Sequence, residues 1–241
     1  MTRTVPAASA VVLAALVAVG ALAGPFVLSA ALLVAVVALA TGWPTLLGLP
    51  TQRGSTTMLA LGGTASVLLV SLAPDGSGTD WLAAVLALSV VATFAHQLLR
   101  RDLRPRLVES VTGVVSGIVV VELVAGWAAA GRQTEQLVLT GAAAVAASAA
   151  ALALPWPQRV TGGFALLAGA TFAALAASFL PDVESLPAAV TGLVVAGVLT
   201  SYDRLFSAVP SAASRQAGIA IGAAGVCSAG FVVHLLARVT G

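Results

Sequence analysis

Residues 4–52 read TVPAASAVVLAALVAVGALAGPFVLSAALLVAVVALATGWPTLLGLPTQ, a stretch without one ionisable side chain. The hydrocarbon core of a bilayer is about 30 Å thick and takes about 20 helical residues to cross. The stretch is too long for a single crossing. Gly24-Pro25 falls in its middle, where a tight turn divides it into spans near 6–23 and 26–46.

The same count, carried outward, finds apolar runs at 56–72, 81–99, 107–130, 137–154, 160–180, 186–202 and 216–236. The sequence therefore predicts an all-α, polytopic membrane bundle of about nine spans, one transmembrane domain over 1–241. Between the runs lie short clusters of Pro, Gly and charge, such as Ala73-Pro74-Asp75-Gly76, Pro155-Trp156-Pro157 and Pro181-Asp182. Loops this short make consecutive helices antiparallel neighbours.

Composition agrees with that reading. Of 241 residues, 59% are hydrophobic and 8% charged, with a mean hydropathy of +1.06. So few charges can neither solvate a soluble surface nor form a phosphate-binding stripe, which excludes nucleic acid as a partner. The lone Cys227 rules out an intrachain disulfide and a cysteine metal cluster. Lys and Asn are absent, so all 11 positive charges are Arg. This composition reads as GC-rich codon usage, and with it a bacterial-type cytoplasmic membrane is expected.

Arginine in short loops marks the cytoplasmic side. With the amino terminus inside, Arg3, Arg53, Arg100, Arg101, Arg104, Arg106, Arg159, Arg204 and Arg215 lie on that side, and only Arg132 and Arg238 on the other. The expected topology is amino end in, carboxyl end out. Trp43, Trp81, Trp127 and Trp156 each fall at a span end, where indole rings favour the headgroup level. Met1-Thr2-Arg3, the following apolar run and Ala21-Leu22-Ala23 share the layout of a cleavable signal peptide. A first span of a polytopic protein has the same pattern and is the expectation.

Four landmarks recur in order at similar separations: Trp43-Pro44 and Trp156-Pro157, Pro74-Asp75 and Pro181-Asp182, Asp102 and Asp203 beside arginines, Gly113 to Gly117 and Gly218 to Gly222. They suggest a parallel duplication of a four-helix unit, 26–130 and 137–239, although such residues also collect at span ends without any repeat.

The sequence carries no phosphate loop, zinc helix, nucleophile elbow or Asp-rich magnesium motif, which leans against an enzyme while leaving one open, and no metal or other cofactor is expected. The ionisable groups near the hydrocarbon are His96, Glu109, Glu122 and His234. From the helical rise, His96 and Glu109 share a level about 5 Å inside the cytoplasmic interface. Glu122 and His234 share one about 6 to 8 Å below the outer interface, counted from Trp127 and Arg238. One reading is a His/Glu proton relay with a station in each leaflet; the other is a set of structural polar contacts.

The densest charge run, 100–106, holds Arg100, Arg101, Arg104 and Arg106, whose guanidinium forks suit an anionic lipid headgroup or phosphate; Arg204 is a second such group. A purely topogenic role is the competing reading. Asp203-Arg204 is similar to the end of the phosphatidate cytidylyltransferase signature. The Lys-Asp and His-Gly-Gly elements of that signature are missing here, so no activity is carried over. Gly113 and Gly117, and again Gly218 and Gly222, form small-xxx-small patches that mark close helix packing.

Two function classes follow. One is a non-enzymatic permease-like protein, or an accessory protein of a larger membrane assembly with a membrane-protein partner. The other is an enzyme or binding protein for a phosphate-bearing lipid held by the arginine run.

Overall fold

The computed structural model describes residues 4–73, 77–99, 106–181 and 183–240. Ten α-helices follow one another: α1 (Thr4–Ala23), α2 (Pro25–Leu46), α3 (Gln52–Leu72), α4 (Leu82–Leu99), α5 (Leu107–Glu122), α6 (Ala125–Gln133), α7 (Glu135–Leu152), α8 (Gln158–Ser178), α9 (Ser185–Phe206) and α10 (Arg215–Thr240). Short 3₁₀ turns precede α4 and α10. The described residues contain no strand, and nine segments among them are long and apolar enough to cross a membrane. The chain is a helical, multi-pass membrane protein.

Gly24 divides the long apolar stretch as its composition requires. Its φ of 111° lies where residues with a Cβ are strained, and Pro25 supplies the fixed φ that opens α2. The turn is as short as a helical hairpin allows. Gly24 N–H still bonds Gly20 O at 3.1 Å, while its own carbonyl accepts from Leu28 N–H at 3.0 Å.

The fifth span differs from the single helix expected. Leu107–Gln133 is one crossing by length, but α5 ends at Glu122 and α6 starts at Ala125. At the junction Val124 N–H bonds Val121 O, Gly126 N–H bonds Leu123 O and Trp127 N–H bonds Val124 O, all at three-residue spacing. The junction is thus a tightened 3₁₀ turn inside a crossing, a feature that marks hinges and functional sites.

In the packing, α10 is the most enclosed helix and touches α1, α2, α6, α7 and α9; α4, the least enclosed, leans on α3 and α5 at the bundle edge. With no hydrophobic drive between helices in lipid, close approach of small residues holds such a bundle together. At Gly126 a Cβ would clash with the backbone of Gly230 and Phe231, and at Gly169 it would lie 2.7 Å from Gly192 O. These two crossings, α6 on α10 and α8 on α9, lie outside the glycine patches expected from sequence. Of those patches, Gly113 faces Leu47 and Leu49, Gly117 faces the ring of Trp43, and Gly218 and Gly222 receive the start of α1 at Val5, Pro6 and Ser9.

Two of the four tryptophans correct the headgroup assignment. Trp81 and Trp156 are exposed, but Trp43 is 4% and Trp127 0% exposed. Each buried indole N–H reaches a helix carbonyl, Trp43 to Gly113 O at 2.9 Å and Trp127 to Val226 O at 2.8 Å. A helical carbonyl has a second lone pair, so it accepts the indole without losing its own helical partner.

Candidate functional site

The depth assigned to Glu122 rested on Trp127 as an interfacial marker, and Trp127 is in the core. Glu122 is level with the middle of α3 and of α4, deeper than expected. Its carboxyl stands beside Gly62, midway along α3, and beside the Ser89 hydroxyl near the middle of α4. The residue is 7% exposed, and its Oε1 has no hydrogen-bond partner.

Gly62 makes the room. A Cβ there would lie 3.4 Å from Glu122 Oε1 and 3.2 Å from Ser89 Oγ, so a larger residue would press on both. Glu122 is also the last residue of α5, at the point where the helix gives way to the 3₁₀ turn. An acid group with a vacant oxygen at mid-membrane can take up and release a proton or hold a small cation, and in hydrocarbon such a group is costly enough to be functional by default.

The two level pairs expected from sequence are not brought together. Glu109 is exposed and its carboxylate meets the guanidinium of Arg106, three residues earlier on the same turn. His96 instead lies over Gly54 of α3, where a Cβ would be 2.9 Å from its Cε1. Arg106, the residue that precedes α5, holds the Glu109 carboxylate instead. His234 also turns from Glu122: its Nδ1 lies 3.2 Å from Gln133 Nε2 at the end of α6, whereas Glu122 faces α3 and α4. Equal depth did not mean a shared helix face.

Of the arginine run, Arg100, Arg101 and Arg104 lie outside the described residues. Arg106, at φ 54°, is committed to Glu109 and to Gly48 O at 3.2 Å. Arg204 sits over Gly162, where a Cβ would be 2.9 Å from its Nη2. A cavity of about 230 Å³ does open nearby, between the starts of α1 and α10 and the end of α9, but the charge lining it is the carboxylate of Asp203. That carboxylate accepts from Gln158 Nε2 at 3.3 Å.

Compared with known proteins, the chain matches no family model, no curated protein and no solved structure. The site itself must carry the argument.

Sequence reasoning named Glu122 but missed its surroundings. Ser89, Thr93 and Gln97 recur every fourth residue along α4, and Thr93 and Gln97 are the residues of that helix that are buried. A four-residue polar spacing within an apolar run was a legible signal of an inward-facing stripe. The buried hydroxyls of Ser55 on α3 and Ser110 on α5 had no such pattern around them.

Proposed function

We propose that this multi-pass protein is a non-enzymatic, permease-like protein in which Glu122 is the group that exchanges a proton within the membrane. The observation that carries the reading is the vacant carboxyl oxygen of Glu122 at mid-bundle, beside an interrupted helix. A 3₁₀ tightening inside a crossing is a feature found at hinges and functional sites, and here it adjoins the acid. The relay becomes one intramembrane station with no partner station at His234.

The lipid-phosphate reading has less behind it. The cavity at the arginine-bearing end presents Asp203, which repels a phosphate, and both described arginines considered for that role already have other neighbours. Anionic headgroups remain the partners proposed for Arg100, Arg101 and Arg104, within a bacterial-type cytoplasmic membrane.

Vesicle uptake tests the role of Glu122. Purified protein in liposomes with a trapped pH dye, driven by a potassium diffusion potential, should acidify the interior faster than protein-free vesicles. Glu122→Gln keeps the shape and removes the exchangeable proton, so it should slow uptake about tenfold or more while leaving thermal unfolding in detergent unchanged. Equal rates for the two proteins, or wild-type rates no faster than empty vesicles, would overturn the reading.

Amino end in, carboxyl end out is the orientation proposed with it, from the nine-to-two arginine split. In a Cys227→Ser background, Leu103→Cys should be protected from an impermeant thiol reagent applied to intact cells, and Gly76→Cys should react. The opposite pattern would invert the topology.

A further inference from the structure

We propose that the interface of α3, α4 and α5 is a one-sided access path, through which water and protons reach Glu122 from the end that carries Arg53 and Arg106, while the other half of the same interface is a dry seal. The inference rests on the reading of Glu122 given above, but its geometry comes from different residues.

The first observation is the orientation of α4. This edge helix exposes Leu88, Val91, Phe94 and Leu98, as lipid requires, and its buried residues are Thr93 and Gln97. A helix that needed only to pack would bury small or aliphatic groups. Instead the buried side is polar: Thr93 Oγ1 donates to Ser89 O at 2.8 Å, and the Ser89 hydroxyl, a turn beyond, stands beside Glu122.

The second observation is the state of the facing hydroxyls. Ser55 Oγ on α3 and Ser110 Oγ on α5 are fully enclosed and have no hydrogen-bond partner, and Thr51 Oγ1 at the same end is a third such atom. Buried polar atoms in native proteins are nearly always satisfied, by protein or by ordered water. Three unpartnered hydroxyls at one end of the α3–α5 pair therefore mark places where water supplies the partner.

Register puts these groups in line. Leu59 touches the site of Gly117, and Val121 that of Gly63, so α3 and α5 run parallel. Ser55 is one turn before Leu59 and Ser110 two turns before Gly117, which sets both hydroxyls at the same end. Helix α4 runs the other way, with His96 over Gly54 and Ser89 beside Gly62. In order from the Arg53 end come Thr51 and Ser110, then Ser55, Gln97 and His96, then Thr93, then Ser89 with Glu122. The step from Gln97 to Ser89 is eight residues, or about 12 Å of helix, with Thr93 midway. The titratable groups facing the path are His96 and Glu122; Glu109, paired with Arg106, stands exposed at its mouth.

Past Glu122 the character changes. Val67, Val70, Val121 and Val124 are each at most 1% exposed, and the one hydroxyl among them, Ser66, is tied to Gly62 O at 3.0 Å. A proton moving that way meets aliphatic side chains. Arg132 enters only at the far end, where it donates to Val70 O and Ser71 O, and between it and Glu122 the interface is apolar.

Single cysteines in a Cys227→Ser background, in nanodiscs of neutral phospholipid, test the path. The probe is 2-aminoethyl methanethiosulfonate, small and water-borne, with modification followed by mass. Ser55→Cys and Ser110→Cys should react about tenfold or more faster than Val67→Cys and Val70→Cys, because thiol reactivity follows access to water. Serine to cysteine is nearly isosteric, and Thr93→Cys replaces either variant that does not elute as a single folded species. Unreactive cysteines at 55, 110 and 93, or equal reactivity at 67 and 70, would overturn the path. Nanodiscs expose both faces, so the result is independent of topology. It is also separable from the role of Glu122: lost uptake in Glu122→Gln with unreactive path cysteines keeps Glu122 and removes the path, and reactive cysteines with intact uptake do the reverse.

Discussion

Gly126→Leu should yield no folded protein. The crossing of α6 over α10 brings Gly126 onto the backbone of Gly230 and Phe231, and a Cβ at Gly126 would clash with the Gly230 carbonyl. A side chain in the way can rotate; a backbone carbonyl inside a helix cannot. Any residue with a Cβ must force the helices apart, and Trp127, whose ring lies against Gly230, would lose its wall with them. Gly126→Ala alone should cost about 1–3 kcal/mol, towards the upper end because the obstructing atoms are backbone. Gly163 supplies the control, since nothing lies within 4 Å of its Cβ position. Gly163→Ala should be neutral or slightly stabilising, as expected where helix propensity is the only change. Thermal unfolding in detergent and the monodisperse yield after size exclusion report the outcome, and a wild-type profile for Gly126→Leu would contradict the crossing.

The second large effect concerns Trp127 itself. Trp127→Ala should destabilise the protein by about 3–5 kcal/mol, the cost of emptying a fully enclosed aromatic site. Trp127→Phe keeps most of the volume and gives up the indole N–H that bonds Val226 O at 2.8 Å, so about 1 kcal/mol should be lost. Trp81→Ala, at a residue 61% exposed, should change little. The three variants separate two uses of one residue type: a headgroup tryptophan would make positions 127 and 81 behave alike in the same unfolding assay.

The contrast between Trp81 and Trp127 also shows where sequence reasoning reached its limit. Hydropathy and the spacing of apolar runs predict nine crossings because burial in lipid acts on each helix singly, without reference to its neighbours. Gly24-Pro25 was legible for the same reason: a positive φ followed by a fixed one is a property of the dipeptide. The value of Glu122 as an intramembrane acid was legible too, since its cost depends on depth and charge alone.

Its true level and its neighbours were not. The tryptophan used to measure that depth was a core residue, and whether an indole faces headgroups or a helix carbonyl depends on what stands opposite. Pairing obeyed the same rule: His96 and Glu109 were level in sequence, but Arg106 lay closer to the carboxylate. The glycines that matter most meet across two helices, Gly169 with Gly192 on consecutive ones and Gly126 with Gly230 on distant ones, and local spacing cannot mark a contact whose partner sits a whole span or more away. The sequence by itself determined how many helices cross and where they turn. Only the tertiary structure decided which faces meet, because in a bilayer helices associate through the fit of their surfaces, and fit belongs to pairs of helices.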